Sequence, residues 1–272
     1  MSPVRQDELL RLLERLPERE LTVLDVVARF RLVQSGQIER LFFGESTTPA
    51  AARRHCRRQL ARLVELGLLR RLERRIGGVR AGSAGHLYTL APAGRRLLAL
   101  SQGHEAPSDR GVHEPGPTFV RHTLAVTELY VRLREAERRA AVELLDYEPE
   151  PGCWRSYTLA SGLNGWLKPD AYTRLAVGDW EERSFVEVDL GTEGRGALLH
   201  KLRAYLDYYR SGREQTREGV FPRVALLTVT DARAEWIAAL AATVAPSGLI
   251  VSGRLDDPLP ILSSGVEGKD GP

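Results

Sequence analysis

The segment from Thr48 to Gly67 constrains the fold more than any other part of the chain, because its two faces differ in chemistry. Thr48 suits an N-cap, Pro49 fits the first helical position, and Gly67 is typical of a helix end. At about 100° per residue, an arc of about 80° collects the apolar side chains, which are Ala52, Cys56, Leu60 and Leu63. The opposite side collects arginines, which are Arg53, Arg54, Arg57, Arg58 and Arg62. The sequence therefore predicts a helix with one buried face and one arginine ridge.

The residues around this helix predict an N-terminal winged helix-turn-helix. Two helices and a third beginning near Ser35 precede it, and two strand-like runs joined by a Gly-rich stretch (residues 76–85) follow it. From Arg53 to Arg80 there are ten arginines and two acidic residues, with Arg74, Arg75 and Arg80 in or beside the predicted wing. A helix fits the major groove of double-stranded DNA, where arginine reaches phosphates or guanine edges. A solvated charged face, protein binding and a homodimer are left open as alternatives.

Charge and composition divide the chain into two predicted domains. Residues 1–110 contain 20 arginines and 12 acidic residues, and the rest contains 19 basic and 24 acidic residues. The Pro- and Gly-rich residues 101–118 predict a linker between a DNA-binding domain over 1–100 and an α/β domain over 119–262, with a disordered tail over 263–272. The apolar runs are too short to span a membrane. The charged N-terminus and the two cysteines favour a cytoplasmic protein over a secreted disulfide scaffold.

The second domain is predicted to be a mixed α/β fold that contains an acidic hairpin. Its strands are expected over 170–177 and 183–190, with Val177 paired to Glu182 around a four-residue turn. That register places Asp170 opposite Asp189 and Tyr172 opposite Glu187, all on one face. Opposed side chains lie roughly 5 Å apart, so the three carboxylates would repel one another without a cation.

Mg²⁺ or Mn²⁺ is the cation that Asp170, Glu187 and Asp189 would bind, because hard divalent ions take oxygen ligands. Such an ion can activate water or stabilise a phosphate. An exposed strand face with incidental acidic residues is the competing interpretation. Lys201, one of three lysines, lies on the helix that is predicted to follow the hairpin.

Pro169-Asp170 followed by Glu187-Val188-Asp189 resembles the PD-(D/E)XK nuclease core, with Asp189 where that family carries lysine. The resemblance implies that Lys201 supplies the missing ammonium from the following helix. Together with the predicted winged helix, three motifs resemble the replication-relaxation family of plasmids and integrative elements: RHTLAVTEL from Arg121, Lys168-Pro169-Asp170, and EVDLGT from Glu187. The resemblance implies an α+β chain that acts in plasmid replication or DNA relaxation.

Two functions follow from the resemblance. In the first, the chain binds DNA and nicks it with Mg²⁺, using Asp170, Glu187, Asp189 and Lys201. In the second, the nuclease-like domain is catalytically inactive and the protein is a DNA-binding regulator of replication or transcription. His122, on the apolar face of a helix over 119–140, is either a core residue or a proton shuttle or phosphate contact beside the acidic residues. Trp154, Trp166 and Trp180 are interpreted as packing residues rather than base-stacking platforms.

Overall fold

The computed structural model describes residues 6–45, 48–76, 85–104, 115–158 and 162–264. The chain forms two compact units, Met1–Val131 and Arg132–Pro272. Helices and sheets are both present, and the fold class is α+β, as predicted. No helix in the described ranges is long and apolar enough to cross a membrane.

The first unit combines helices with a small antiparallel sheet of strand order β1-β3-β2. Its elements are α1 (Gln6–Leu13), α2 (Glu18–Phe30), β1 (Val33–Gln34), α3 (Ser35–Phe42), α4 (Pro49–Glu65), β2 (Leu69–Ile76), β3 (Gly85–Leu90), α5 (Pro92–Ser101) and the first part of α6 (Pro117–Arg138). Thr48 Oγ1 accepts a hydrogen bond from Ala51 N at 3.2 Å, so the predicted N-cap of α4 is confirmed. The predicted cap Ser35 is instead the first residue of α3, and Gln34 occupies the cap position.

The second unit contains a five-stranded mixed sheet of order β10-β9-β8-β7-β4 and a separate hairpin, β5–β6. Its further elements are β4 (Glu143–Pro149), β5 (Arg155–Thr158), β6 (Asn164–Leu167), β7 (Ala171–Val177), β8 (Trp180–Asp189), α7 (Arg195–Arg210), α8 (Arg213–Glu218), β9 (Arg223–Thr228), α9 (Asp231–Ala242), β10 (Ile250–Arg254) and α10 (Leu259–Leu262). The antiparallel pairs are β4–β7 and β7–β8, and the parallel pairs are β8–β9 and β9–β10. One buried cluster joins side chains of β7, β8, β9, α7 and α9.

The boundary between the units lies inside α6, whereas the sequence places it at residues 101–118. Residues 105–114 of that segment lie outside the described part of the chain. Val120 and Leu124 of α6 pack in a buried cluster with Leu32, Leu72 and Leu87. The start of α6 therefore belongs to the core of the first unit, a packing choice that linker composition does not reveal.

The predicted register of the acidic hairpin is wrong by two residues. Val177 pairs with Trp180, so the turn contains two residues rather than four. Gly178 adopts φ +57° there, a conformation that glycine reaches without a steric cost. Because strand side chains alternate with a period of two, a shift by two keeps the predicted faces. Tyr172 now opposes Phe185, and both lie in the buried cluster beneath α7 and α9.

Candidate functional site

Helix α4 carries the first candidate site, an outward arginine face over a buried apolar face. Its apolar positions are 1–6% exposed or fully buried, namely Ala52, Cys56, Leu60 and Leu63. Four of its arginines are exposed and form no ion pair within the described residues, namely Arg53, Arg54, Arg57 and Arg58. We call these four residues the arginine face. Their charge is available to an external anion.

Arg62 differs from the other arginines of the predicted ridge. Its guanidinium pairs with the carboxylate of Glu20 on α2. The side chain of Glu20 is 7% exposed, so Arg62 supplies a buried acid with its counter-charge. Arg62 is therefore engaged within the unit.

A groove with a volume of about 1580 Å³ opens beside the arginine face. It is lined by parts of β1, α3, α4, β2, β3, α5 and α6. Its cationic residues outnumber its acidic ones, and they are Arg40, Arg53, Arg57, Arg70, Arg71 and Arg96 against Glu39, Glu65 and Glu128. Arg40 pairs with Glu128 at 2.7 Å, which leaves most of the positive charge on α4 and β2.

The predicted wing is only partly described. The backbone of Arg74 and Arg75 belongs to β2, and their side chains lie outside the described part, as does the whole of Arg80. Their predicted contacts with DNA stay predictions.

Glu187 is the centre of the second candidate site, which is built on β7, β8 and α7. Its side chain is 4% exposed. Oε1 accepts a hydrogen bond from the hydroxyl of Tyr205 at 2.6 Å, and Oε2 lies 2.8 Å from Nζ of Lys201. Both contacts come from α7, because Lys201 and Tyr205 are four residues apart on one helix face.

Lys201 joins Glu187 to the loop between β8 and α7. Its Nζ donates to Oε1 of Glu193 at 2.9 Å, so the ammonium lies between two carboxylates. The predicted supply of an ammonium from the following helix thus matches the position of Lys201. Glu193 was not identified from the sequence, since a loop acid eight residues before Lys201 carries no motif.

Asp170 is held beside Glu187 by the backbone of β8. Its N–H donates to the carbonyl of Val186 at 3.0 Å, and its Oδ2 accepts from the N–H of Val188 at 2.7 Å. Asp170 is 9% exposed. Its hydrogen bonds to Val186 and Val188, the residues on either side of Glu187, place it next to Glu187. Asp170, Glu187, Lys201 and Tyr205 form what we call the acidic cluster.

Burial and the negative charge of Asp170 raise the pKa of Glu187 to about 7, against the opposing effects of Lys201 and Tyr205. Burial lowers the pKa of Lys201, but the carboxylates of Glu187 and Glu193 outweigh it and raise that pKa overall. Lys201 therefore stays charged at neutral pH.

Asp189 is engaged away from this centre. Its Oδ1 accepts from the N–H of Gly191 at 2.6 Å, and its Oδ2 lies 2.7 Å from the guanidinium of Arg233 on α9. Arg233 also donates to the carbonyl of Glu193 at 2.6 Å. Arg233 thereby ties the β8–α7 loop to α9, a role that depends on tertiary packing and has no signal in the sequence.

His122 lies on the part of α6 that belongs to the first unit and is half-buried. It has interaction partners there. Its predicted role as a proton shuttle stays a prediction.

The donor set supports a two-carboxylate site better than a three-carboxylate one. Mg²⁺ is commonly held by one or two carboxylates, and water and substrate phosphate complete its coordination shell. Asp170 and Glu187 would supply two such carboxylates. Asp189 fits less well, because the guanidinium of Arg233 and the N–H of Gly191 hold its two oxygens. At Glu187 an ion would likewise have to displace Lys201 or Tyr205. Among the described residues, no group of three or more His, Cys, Asp or Glu side chains is placed to hold a metal ion.

Comparison with known proteins gives one informative match. A search of curated proteins found no match. A structure of the restriction endonuclease FokI bound to DNA is 11% identical and covers 91% of this chain and 70% of that chain, but its TM-score of 0.22 is too low to indicate a shared fold. The replication-relaxation family model matches residues 24–224, from α2 to β9, which confirms the family predicted from the motifs. The chain therefore belongs to the replication-relaxation family, whose function is DNA-related.

Proposed function

We propose that the first unit binds double-stranded DNA as a winged helix, with α4 entering the major groove and β2–β3 forming the wing. The proposal is carried by one observation: the arginine face is exposed, unpaired within the described residues, and backed by a buried apolar face. A fixed helix with four free guanidinium groups suits the regular phosphate array and the guanine edges of a duplex. The basic groove beside α4 extends this surface.

The test is the salt dependence of duplex binding. Fluorescence anisotropy with a labelled duplex is measured over a range of NaCl concentrations for the wild type, Arg54→Ala/Arg58→Ala and Arg62→Ala. Each lost phosphate contact reduces the slope of log affinity against log salt by about 0.9, so the double variant should lose about 2. Arg62→Ala is the matched control, because Arg62 is already paired with Glu20. An unchanged slope in the double variant would remove α4 from the interface.

A second proposal concerns the acidic cluster, which we infer to be a DNA-nicking site. Asp170 and Glu187 would hold Mg²⁺ or Mn²⁺, and such an ion, when bound, supplies charge neutralisation and an activated water. Lys201 would stabilise the negative charge that develops on the phosphate, and Tyr205 orients Glu187 through its hydroxyl. The observation that favours this proposal is the meeting of Asp170, just before β7, with Glu187 on the central strand β8 and Lys201 on α7.

The alternative is a catalytically inactive domain, in which DNA binding is the whole activity. It is favoured by Asp189, which stands where the nuclease motif has lysine and is paired with Arg233. It is favoured too by Lys201, which already neutralises the carboxylates.

Supercoiled plasmid separates these two proposals. Plasmid carrying the DNA that flanks the gene is incubated with Mg²⁺ or Mn²⁺ and the wild type, Asp170→Asn or Glu187→Gln. Relaxed circles from the wild type alone indicate nicking. Absence of relaxed circles with all three proteins, each binding duplex equally well, indicates a regulator.

A further inference from the structure

The hairpin β5–β6 presents an exposed face that neither proposed activity uses. Its register pairs Ser156 with Trp166 and Thr158 with Asn164. Side chains alternate along each strand, so these four residues share the outer face, while Arg155, Tyr157 and Leu167 point inward and are 3–6% exposed.

Trp166 is 58% exposed on a well-anchored strand pair. The inner face is fixed by Tyr157, whose ring lies 5.2 Å from that of Tyr208 and whose hydroxyl donates to the carbonyl of Ala204. Trp166 is therefore held in place while its indole faces solvent, which differs from the packing role expected of it. Leu163, three residues before it in sequence, is 67% exposed.

A cationic side chain lies at each end of the hairpin. Lys168 is exposed two residues after Trp166, and its Nζ lies 4.7 Å from the ring of Trp154. Arg213 is exposed and donates to Oγ1 of Thr158 at 3.2 Å, beside the outer face. The described outer residues of the hairpin include no acid. Aromatic and cationic side chains together are the composition of surfaces that bind unpaired nucleic acid.

We propose that the outer face of β5–β6 binds single-stranded DNA, with Trp166 stacked on an unpaired base and Lys168 and Arg213 contacting phosphates. A duplex offers no free base face to such a side chain, so the surface selects unpaired bases. The ligand class rests on the proposed DNA-binding function.

The position of the hairpin deepens the proposed nicking site. Asp170 follows Trp166 by four positions, a reach of at most about 14 Å along an extended chain. A DNA strand with a base stacked on Trp166 would therefore pass close to the acidic cluster while it is unpaired. The hairpin would act as a binding element for the separated strand, and its residues need no part in the chemistry.

Tryptophan fluorescence reports on the second unit alone, because all four tryptophans lie in that unit: Trp154, Trp166, Trp180 and Trp236. The full chain is titrated with an oligothymidine of about 12 nucleotides, which forms no duplex. Titrations use the Arg54→Ala/Arg58→Ala background, so that the arginine face contributes little. Quenching is expected, and Trp166→Ala should abolish most of it and weaken binding about tenfold, within the range for the loss of one base–aromatic stack. Trp166→Phe should retain most of the affinity.

Trp180→Ala is the matched control. Trp180 is 54% exposed and lies in the same unit, but it stands at the β7–β8 turn beside Asp179 and Glu181. Its replacement should leave the affinity unchanged. Equal affinity of Trp166→Ala and the wild type, or equal losses from Trp166→Ala and Trp180→Ala, would overturn the proposal. Circular dichroism confirms that each variant folds. A failed duplex salt-slope test would concern α4 alone, and it would not change the interpretation of the oligothymidine titration.

Discussion

The arginine face of α4 and the acidic cluster of the second unit carry opposite charge and place it in opposite environments. The four arginines are exposed and unpaired within the described residues, whereas Glu187 is buried and contacts Lys201 and Tyr205. The exposed guanidinium groups stay available to a polyanion. A buried carboxylate loses hydration, so its protonation depends on its neighbours.

This difference shows where each charge acts. On α4 the fold holds the four arginines on a rigid helix and leaves their positive charge available to a partner. In the acidic cluster the fold supplies its own counter-charges, and a ligand must compete with Lys201 for Glu187.

The largest expected effect is the pH dependence of stability that Glu187 contributes. Its pKa is raised from 4.5 in the unfolded chain to about 7 in the folded one. The folded state therefore holds the proton more tightly, and the stability that this provides is lost as pH rises through about 7. The free energy of unfolding of the wild type minus that of Glu187→Gln should fall by about 3 kcal/mol between pH 4.5 and pH 8.

Chemical denaturation at several pH values measures this difference. Asp170→Asn removes the second largest cause of the raised pKa, so the fall should occur at lower pH in that variant. A difference that stays flat with pH would show that Lys201 keeps Glu187 ionised throughout, and the contrast with exposed charges would be smaller than stated.

Lys201→Met should have the next largest effect. Removing one partner of a buried pair leaves the other without compensation, which costs about 3–5 kcal/mol when both are buried. Because the side chain of Lys201 is 28% exposed, we expect about 2 kcal/mol at pH 8. The loss should shrink at pH 5.5, where Glu187 is protonated.

Lys168→Met is the control for Lys201, since Lys168 is exposed. Its free energy of unfolding should stay within about 0.5 kcal/mol of the wild type. Equal losses from both lysine variants would contradict a special role for the buried pair.

The smallest effect distinguishes two arginines of one helix. Arg62→Ala strips the buried carboxylate of Glu20 of its partner and should lower the free energy of unfolding by about 1 kcal/mol. Arg58→Ala should change it by less than about 0.5 kcal/mol, because Arg58 is exposed. Thermal or urea denaturation measures both. If Arg58→Ala destabilised the protein as much as Arg62→Ala, the arginine face would have a structural role of its own.

Local periodicity predicted the parts of both sites that depend on one or two neighbouring elements. The helix from Pro49, its cap Thr48 and its two faces were identified because helical geometry repeats over short distances. The common face of Tyr172 and Glu187 survived a register error, because an error of two residues preserves alternation.

Errors arose where a choice between similar local arrangements had to be made. A two-residue and a four-residue turn both suit the residues around Gly178, and strand pairing selects the shorter one. The strands β4, β5 and β6 were missed because β5 and β6 have only four residues each, and β4, with seven, lacks a regular alternation of apolar and polar side chains. The hairpin that holds Trp166 was therefore invisible in the sequence.

The amino-acid sequence by itself determined the arginine ridge, the acid-bearing strands and the lysine on the following helix, since each depends on spacing along a regular element. Only the tertiary structure decided which of these charges are paired. Arg62 meets Glu20, Asp189 meets Arg233, and Lys201 meets Glu187 and Glu193. Ion pairs between distant segments depend on how helices and strands pack, and periodicity within one segment carries no information about the charge that faces it from another.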